Sequence, residues 1–309
     1  MMKVIYGINK IRKFKRPVVA LGVFDGVHRG HQHILESAVK IARRINGTAV
    51  VLTFDPHPQR AGDISSLEHR LRLIGQLGIE ICIVINFNQK FAQISAEDFV
   101  REVLARKIGA VYICVGKNFR FGRQAGGDAG LLGKLAEFYN FKLKICRQVK
   151  VGHQPISSTS IRKLILKGKL KTAQRLLGRR VSILGSVIRG ASLARRLGFP
   201  TANINPHHEV VPPSGVYIVE IILEGKKFYG VCSVGRKPTF NTQYAIRNTQ
   251  YEKHIEVHIF DFCKNIYGKQ LEVIFIKKIR GQEKFSSLVL LAQQIQRDIT
   301  FAKSLFSLH

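Results

Sequence analysis

The run GVFDGVHRGH, from Gly22 to His31, follows a short apolar stretch and contains two histidines three residues apart. Gly22 and Gly26 allow a ligand to approach the backbone closely. A helix that opens here would present unpaired amides and the positive end of its dipole to an anion. His28 and His31 would then project from the same side of the first turn. The pattern predicts a site for the phosphates of ATP.

The chemistry predicted at this site needs no Ser, Cys or Lys nucleophile. An incoming phosphate can attack ATP in line, so catalysis consists of positioning and charge stabilisation. The alternative is that two histidines beside a glycine turn only cap or pack a helix. Because a strand, two glycines and an acidic residue accompany them, we predict that His28 and His31 are catalytic. ATP-binding roles are predicted for Gly22, Phe24, Asp25 and Gly30.

Three further segments fit the same site. TFDPHP (Thr53–Pro58) closes one predicted strand and VGKNFRFG (Val115–Gly122) closes another, and ligands bind at strand ends in such sheets. ISSTSIR (Ile156–Arg162) predicts a helix start at which Ser158 or Thr159 accepts the first free amides and Arg162 holds phosphate. Each segment taken singly could be turn and cap chemistry.

These motifs need a sheet that brings strand ends together. Over residues 1–150, apolar runs rich in β-branched residues alternate with amphipathic stretches, which predicts βαβ units around a parallel sheet. The predicted strands are Pro17–Phe24, Thr48–Phe54, Ile79–Phe87, Ala110–Val115 and Phe141–Val149. The predicted helices are Gly30–Asn46, Ser66–Leu77, Ala96–Lys107, Gly130–Asn140 and Ser158–Lys169.

Beyond Gly178 the pattern changes to repeated strands with Gly, Pro and Asn between them, which predicts an antiparallel β-barrel. A final apolar-periodic stretch, Phe285–Phe306, predicts a helix that covers one side of the barrel. We therefore predict two domains, residues 1–172 and 173–309. The predicted strands are Val181–Ile188, Gly215–Leu223, Lys227–Gly235, His254–Phe262 and Gln270–Ile279.

Two segments of the second half could do chemistry. In LGFPTANI (Leu197–Ile204), Thr201 and Asn203 present neutral oxygens suited to Mg²⁺ and ATP phosphates. Local bonding in an ordinary turn is the alternative. In HIEVHIFDF the alternation directs Glu256 away from the apolar face, where it could accept a proton from a substrate hydroxyl. An exposed strand glutamate is the alternative for this residue.

Charge and composition limit the functional classes. Lysine and arginine total 50 against 20 acidic residues, a net charge of +30. The basic residues are spread along the chain without a recognisable nucleic-acid-binding pattern, so we expect a basic surface that attracts phosphorylated substrates rather than nucleic acid. The five scattered cysteines predict reduced thiols, mostly in the core. No apolar run is long enough to span a membrane, and we expect a cytoplasmic protein. The oligomeric state stays open.

The motifs of the first half resemble, in order and spacing, the FAD synthetase module of the bacterial bifunctional riboflavin kinase and FMN adenylyltransferase family. NFNQKFAQISAEDFV (Asn86–Val100) extends the resemblance. It implies a Rossmann-like nucleotidyltransferase fold in which His28 and His31 bind ATP and stabilise transfer. The residues that it implies for holding nucleotide are Asn118, Ser158, Thr159 and Arg162, and those near the flavin are Asp55, Pro56, His57 and Pro58.

The second half resembles bacterial riboflavin kinase through GFPTANI, PSGVYIVEI, SVGRKPTF, EVHIFDF, YGKQLEV and IRGQEKF. The resemblance implies that Thr201 and Asn203 bind Mg-ATP and that Glu256 activates the 5′-hydroxyl of riboflavin. The implied products are FMN and then FAD, each made with one ATP. Two residues depart from the family, Ala194 for a common Gly and Gln282 for a frequent Glu, and could weaken the kinase.

Two other functions stay open at this point. One is a single-function FMN adenylyltransferase whose barrel has lost kinase activity. The other is a basic nucleic-acid-binding protein that keeps the nucleotidyltransferase fold as a scaffold.

Overall fold

The computed structural model describes residues 2–56, 62–152, 154–190, 197–236 and 253–306. The chain forms two compact units, Met1–Ile161 with Leu176–Gly178, and Arg162–Arg175 with Arg179–His309. The predicted boundary at residue 172 falls inside a helix, Leu170–Leu177, and stays a prediction. No helix of the described ranges has the length and apolar character to cross a membrane.

The first unit is built on a six-stranded, fully parallel sheet with strand order β1-β4-β3-β2-β5-β8. Its central strands are buried on both faces, as their continuous apolar sequences require. The chain runs outward from β2 to β3 and β4 and then returns to β5, so the order reverses beside β2. The strands are β1 Lys3–Tyr6, β2 Val18–Leu21, β3 Ala49–Asp55, β4 Ile81–Asn86, β5 Tyr112–Gly116 and β8 Lys142–Cys146.

Helices pack on both faces of this sheet and form two clusters of buried apolar side chains. Two short antiparallel pairs accompany it, β6 Arg120–Phe121 with β7 Gly127–Asp128 and β9 Lys150–Val151 with β10 Gln154–Pro155. Short 3₁₀ turns are Ile8–Lys10, Asp25–Val27 and Arg123–Ala125. The helices are α1 Arg29–Arg44, α2 Leu67–Gly75, α3 Gln89–Ala92, α4 Ala96–Asp98 with a π-helical continuation Phe99–Ile108, α5 Ala129–Phe138, α6 Ser158–Leu166 and α7 Leu170–Leu177.

The second unit is a closed antiparallel barrel with strand order β11-β12-β15-β14-β13-β16. One helix, α8 (Leu288–Phe306), packs on its outer surface, and its Ile299 and Ala302 belong to one apolar cluster with Val216 and Ile218 of the barrel. The strands are β11 Ser182–Ile188, β12 Ala202–Asn205, β13 Gly215–Leu223, β14 Lys226–Arg236, β15 Lys253–Ile259 and β16 Gln270–Arg280.

The predicted fold class, a parallel α/β domain followed by an antiparallel barrel with a C-terminal helix, is confirmed. Several local predictions were wrong. The first strand ends at Leu21, because Phe24 adopts a left-handed conformation with φ 56° and starts a tight turn. Strands β1 and β12 were not predicted, since each is only four residues long. The predicted cap of α6 was also wrong, because Ser157 Oγ accepts the Ser160 amide at 3.2 Å.

The cysteine prediction is confirmed. Four of the five cysteines are buried, and only Cys263 is exposed. Burial raises the pKa of Cys82 and of Cys114 to about 12, so both stay protonated thiols at neutral pH. They act as small apolar side chains in the core of the first unit.

Candidate active sites

The turn between β2 and α1 forms the first candidate site. His28 is the N-cap of α1, and its Nδ1 accepts a hydrogen bond from the His31 amide at 3.2 Å. Since that amide is the donor, Nδ1 carries a lone pair, and the proton of a neutral His28 is on Nε2. The imidazole rings of His28 and His31 stack with centroids 3.5 Å apart. The predicted proximity of the two rings is confirmed, and so is the capping interpretation of His28.

His31 has hydrogen-bonding capacity to spare. Its Nδ1 is buried and has no hydrogen-bond partner within the described part of the chain. Burial, the neighbouring His28 and the charge of Arg70 together lower the pKa of His31 well below its usual value. The imidazole is therefore neutral at pH 7. A neutral ring with an unused nitrogen suits a hydrogen bond to a ligand.

The other residues of this turn hold its backbone in place or leave room for the histidine rings. Asp25 is buried, and its Oδ1 accepts the amides of Ile64 and Ser65 at 2.8 and 3.2 Å. Phe24 is a core residue that meets the His31 ring edge-on at 5.4 Å. A β-carbon at Gly30 would lie 3.1 Å from the His28 ring, so glycine leaves room for that ring. Their predicted roles in ATP binding, with that of Gly22, stay predictions.

The sheet brings the other predicted segments to the same edge. The Gly22 turn follows β2, Asp55 is the last residue of β3, and the turn containing Asn118 follows β5. These three strands are adjacent and run in the same direction. The Asn118 side chain is exposed, as a ligand contact requires. Pro56 follows Asp55 and is exposed, whereas His57 and Pro58 lie outside the described residues. The carboxyl ends at a reversal of strand order are where such sheets bind ligands.

Helix α6 begins against the same turn. Ser158 Oγ donates to the carbonyl of Asp25 at 3.0 Å, although the two residues are 133 positions apart in the sequence. Thr159 is exposed beside it, and Arg162 lies one turn further along the helix, where it belongs to the second unit. The structure therefore brings Ser158 to the histidine turn.

One buried charge in this region escaped the sequence analysis. Arg70 of α2 is only 1% exposed, and its guanidinium bonds the carbonyls of Val23 and Phe54. The signal available was its spacing, because Leu67, Arg70 and Ile74 share the face of α2 that should be apolar.

The second candidate site lies on the outer surface of the barrel, beneath α8. A cavity of about 700 Å³ is lined there by Phe199, Thr201, Val216, Val231, Ser233, Glu256, His258, Arg280, Gln282, Glu283, Phe285, Ser286, Ser287, Leu288, Leu291, Ile295 and Asp298. On β15 the side chains of Ile255 and Val257 are buried in the barrel, so Glu256 lies on the opposite, cavity face. The predicted direction of Glu256 is confirmed.

The register of strands β12, β15 and β14 places the predicted kinase residues Asn203 and Glu256 opposite each other. Asn203 of β12 is paired directly with Glu256 of β15, and Glu256 is paired with Ser233 of β14. Asn203 is buried, and its Oδ1 has no hydrogen-bond partner in the described ranges. Thr201 precedes β12 and lines the cavity. Asn203 Oδ1 and the Thr201 hydroxyl are hard oxygen donors that fit a magnesium ion. No cluster of three or more His, Cys, Asp or Glu side chains suits a metal in the part of the chain that the structure describes.

The cavity contains three functional candidates that the sequence analysis missed. His258 Nδ1 lies 2.9 Å from the Pro200 carbonyl, next to Thr201. Arg280 bonds Asp298 of α8 through Nε and Nη2 at 2.8–3.1 Å, and Asp298 is only 4% exposed. Spacing could have indicated two of them, because His258 is two residues from Glu256 on the same strand and Asp298 is seven residues from Leu291 on the same side of α8. Of the two family departures, Gln282 lines the cavity, and Ala194 lies outside the described residues.

Comparison with known proteins assigns a family to each half. The FAD synthetase family matches residues 10–160, and the riboflavin kinase family matches residues 177–306. The bifunctional riboflavin kinase/FMN adenylyltransferase of Buchnera aphidicola subsp. Schizaphis graminum is 37% identical and covers 99% of this chain and 100% of its own length. The enzyme of the same description from Escherichia coli strain K12 is 33% identical, with 99% of both chains covered.

One solved structure is similar to this chain over nearly its whole length. A crystal structure described as a macrolide-efflux protein from Streptococcus pneumoniae is similar with a TM-score of 0.81 and 31% identity. The match covers 96% of this chain and 97% of that chain.

Proposed function

The chain belongs to the family of bifunctional riboflavin kinase/FMN adenylyltransferases, and from this membership we propose which residues carry each activity. The protein is a transferase of flavin cofactor biosynthesis. The barrel converts riboflavin and ATP to FMN and ADP, and the parallel-sheet unit converts FMN and a second ATP to FAD and pyrophosphate. Riboflavin, FMN and ATP are its substrates.

In the adenylyltransferase unit, a phosphate oxygen of FMN attacks the α-phosphorus of ATP, and the bond to the bridging oxygen of pyrophosphate breaks. We assign His28 and His31 to the α-phosphate, where hydrogen-bond donors stabilise the charge of the transition state. The stacked ring pair with its unused His31 Nδ1 is the observation that supports this assignment. Asn118, Ser158, Thr159 and Arg162 are proposed to hold nucleotide, and the segment from Asp55 to Pro58 is proposed to lie near the flavin.

In the kinase unit, the 5′-hydroxyl oxygen of riboflavin attacks the γ-phosphorus of ATP, and ADP leaves with the bridging oxygen. Glu256 takes the hydroxyl proton as general base. The observation that supports this role is that Glu256 lines the cavity, and that the strand register places it between Asn203 and Ser233. His254 Nδ1, 3.5 Å from Glu256 Oε1, lies beside the same carboxylate.

Magnesium is proposed to serve both activities, and the kinase residues that would hold it are Thr201 and Asn203. When bound, Mg²⁺ neutralises charge on the phosphates. Asn203→Ala is expected to raise the Mg²⁺ concentration needed for FMN formation. Asn205→Ala is the matched control, because Asn205 is exposed on the same strand and should leave the Mg²⁺ dependence unchanged. Equal Mg²⁺ dependence of wild type and Asn203→Ala would contradict the assignment.

The cell compartment and the solution partners are proposals too. We propose a cytoplasmic enzyme, because the buried cysteines are reduced thiols and such thiols persist in reducing compartments. The net charge of +30 would attract anionic substrates, without a role in binding nucleic acid or membranes.

The product profile of purified protein tests the residue assignments. With riboflavin and Mg-ATP, chromatography should detect both FMN and FAD. Replacing His28 and His31 with Ala should abolish FAD formation and spare FMN formation, and His33→Ala, exposed on the same helix, is the control. Glu256→Gln should lose FMN formation from riboflavin yet still convert supplied FMN to FAD. Failure of the wild type to make FMN would favour an adenylyltransferase with an inactive barrel.

A further inference from the structure

Arg70 is the largest fully buried side chain in the described ranges. A guanidinium withdrawn from water costs several kcal/mol unless its partners compensate, so a buried arginine requires an explanation. Its α2 neighbour Arg72 is exposed and pairs with Glu68 in the ordinary way at 3.1 Å. Burial of Arg70 is therefore specific to its position.

The partners of Arg70 lie at the ends of two adjacent strands. Nη1 donates to the carbonyl of Val23 at 2.9 Å, and Nη2 donates to the carbonyl of Phe54 at 3.0 Å. Val23 belongs to the turn that follows β2 and leads to the two histidines, and Phe54 is the next-to-last residue of β3. Nη2 also lies 3.7 Å from Asp55 Oδ1. One rigid group thus connects the two segments that carry the candidate adenylyltransferase residues.

We propose that Arg70 is a positioning residue for adenylyl transfer, whose planar fork sets the separation between the histidine turn and the end of β3. The inference rests on the proposed function of the first unit. A fork with fixed donor directions can set that separation, whereas the single, freely rotating ammonium of lysine cannot. Thr53 supports the same segment, since its Oγ1 donates to the Val23 carbonyl at 2.9 Å.

The charge of Arg70 has a second effect. It is one of the three influences, after burial and His28, that lower the pKa of His31. The groups that act on Arg70 itself are Asp63, Asp25, Asp55 and Cys82. Arg70 Nε and His31 Nδ1 are both buried and without hydrogen-bond partners among the described residues. The charge therefore helps to keep the His31 imidazole neutral beside the place where we put the α-phosphate.

Two substitutions separate the fork from the charge. Arg70→Lys keeps the charge and removes the fork, and Arg70→Gln removes both. Arg72→Lys and Arg72→Gln make the same changes at an exposed position of α2. FAD formation from FMN and FMN formation from riboflavin are measured on each full-length protein, so the kinase reports on the integrity of the rest of the chain.

We expect Arg70→Lys to lower kcat for FAD formation by about tenfold or more, because a hydrogen bond from a charged donor is lost. KM for ATP should change less, and FMN formation should stay within about twofold of wild type. In Arg70→Gln the low-pH limb of the kcat profile should also move to higher pH, because loss of the positive charge raises the pKa of His31. Arg70→Lys should leave that limb in place.

To separate destabilisation from positioning, the thermal unfolding of every variant is followed by circular dichroism. Activity is then measured at a temperature below the first thermal transition of each variant. Wild-type kcat for FAD formation in folded Arg70→Lys would overturn the inference, as would an unshifted pH limb in Arg70→Gln. An Arg70→Lys chain whose first unit is unfolded at every temperature would also overturn it, because the role would then be stability alone. A wild type that makes no FAD would instead refute the proposed function.

Discussion

Replacing His258 tests how the barrel aligns its ATP segment with its general base. A carbonyl oxygen only accepts hydrogen bonds, so His258 Nδ1 is the donor in its 2.9 Å contact with Pro200. Pro200 immediately precedes Thr201, and His258 is two residues from Glu256 on the same face of β15. This single hydrogen bond therefore connects the proposed magnesium segment with the proposed base.

The chemistry of the side chains offers a rescue variant. The amide nitrogen of asparagine is attached to Cγ, as Nδ1 is in histidine, whereas that of glutamine is one bond further out. We expect His258→Asn to preserve the contact and His258→Gln and His258→Ala to lose it. A net hydrogen bond contributes about 1 kcal/mol, which corresponds to about fivefold in an equilibrium constant. Because the contact is exposed, we expect a two- to fivefold effect at most, about 0.5 to 1 kcal/mol.

The assay is FMN formation from riboflavin at varied Mg-ATP. KM for ATP should rise in His258→Ala and His258→Gln and stay near wild type in His258→Asn, and FAD formation from supplied FMN should be equal in all four proteins. Because asparagine and alanine both remove the ring packing against Phe199, their difference isolates the hydrogen bond. If His258→Asn behaves like His258→Ala, the alignment argument is refuted.

Three further outcomes are expected. Asp298→Asn should destabilise the second unit by about 3 kcal/mol in urea unfolding, because it removes the nearer and more buried carboxylate partner of Arg280 and leaves only Glu283 at 3.9 Å, and unchanged stability would refute this. Gly26→Ala should lower the melting temperature and FAD formation, because φ is +74° and the new β-carbon would lie 2.9 Å from Ile64; a wild-type melting temperature would contradict it. Because the pKa of His31 is lowered in the folded protein, the unfolded chain binds a proton at this residue more readily than the folded chain does. The free energy of unfolding is therefore at its full value above about pH 6.5, the ordinary pKa of histidine, and it falls as the pH is lowered. His31→Gln should therefore lose less stability than wild type between neutral and acid pH in thermal melts, and equal losses would count against the burial argument.

The two halves differ in how far local patterns determine the site. The local structure of the GVFDGVHRGH segment can be predicted from the sequence, because a strand end, a glycine turn and a helix start are each defined by residues that are close together in the chain. The stacking of His28 and His31 follows from i, i+3 spacing in the same way. The change from helical to strand periodicity near Gly178 likewise predicted the barrel.

The contacts of Arg70 and Ser158 could not be predicted from local sequence patterns. Nothing near Arg70 in sequence indicates that its guanidinium meets the carbonyls of Val23 and Phe54, since this depends on how α2 packs over the sheet. The hydrogen bond from Ser158 to Asp25 spans 133 positions and exists only because the fold brings α6 back to the first turn. The cavity under α8 depends in the same way on the docking of a helix onto the barrel.

By itself, the sequence determined the residue types, the period of each element and the motifs that name the chemistry, because these depend on neighbours within a few residues. Only the tertiary structure decided the register that pairs Asn203 with Glu256, since a shift of one residue would turn a strand's side chains to the opposite face. Only packing decided that the guanidinium of Arg70 is buried between two strand ends, because burial is a property of everything that surrounds a residue and not of its neighbours in sequence.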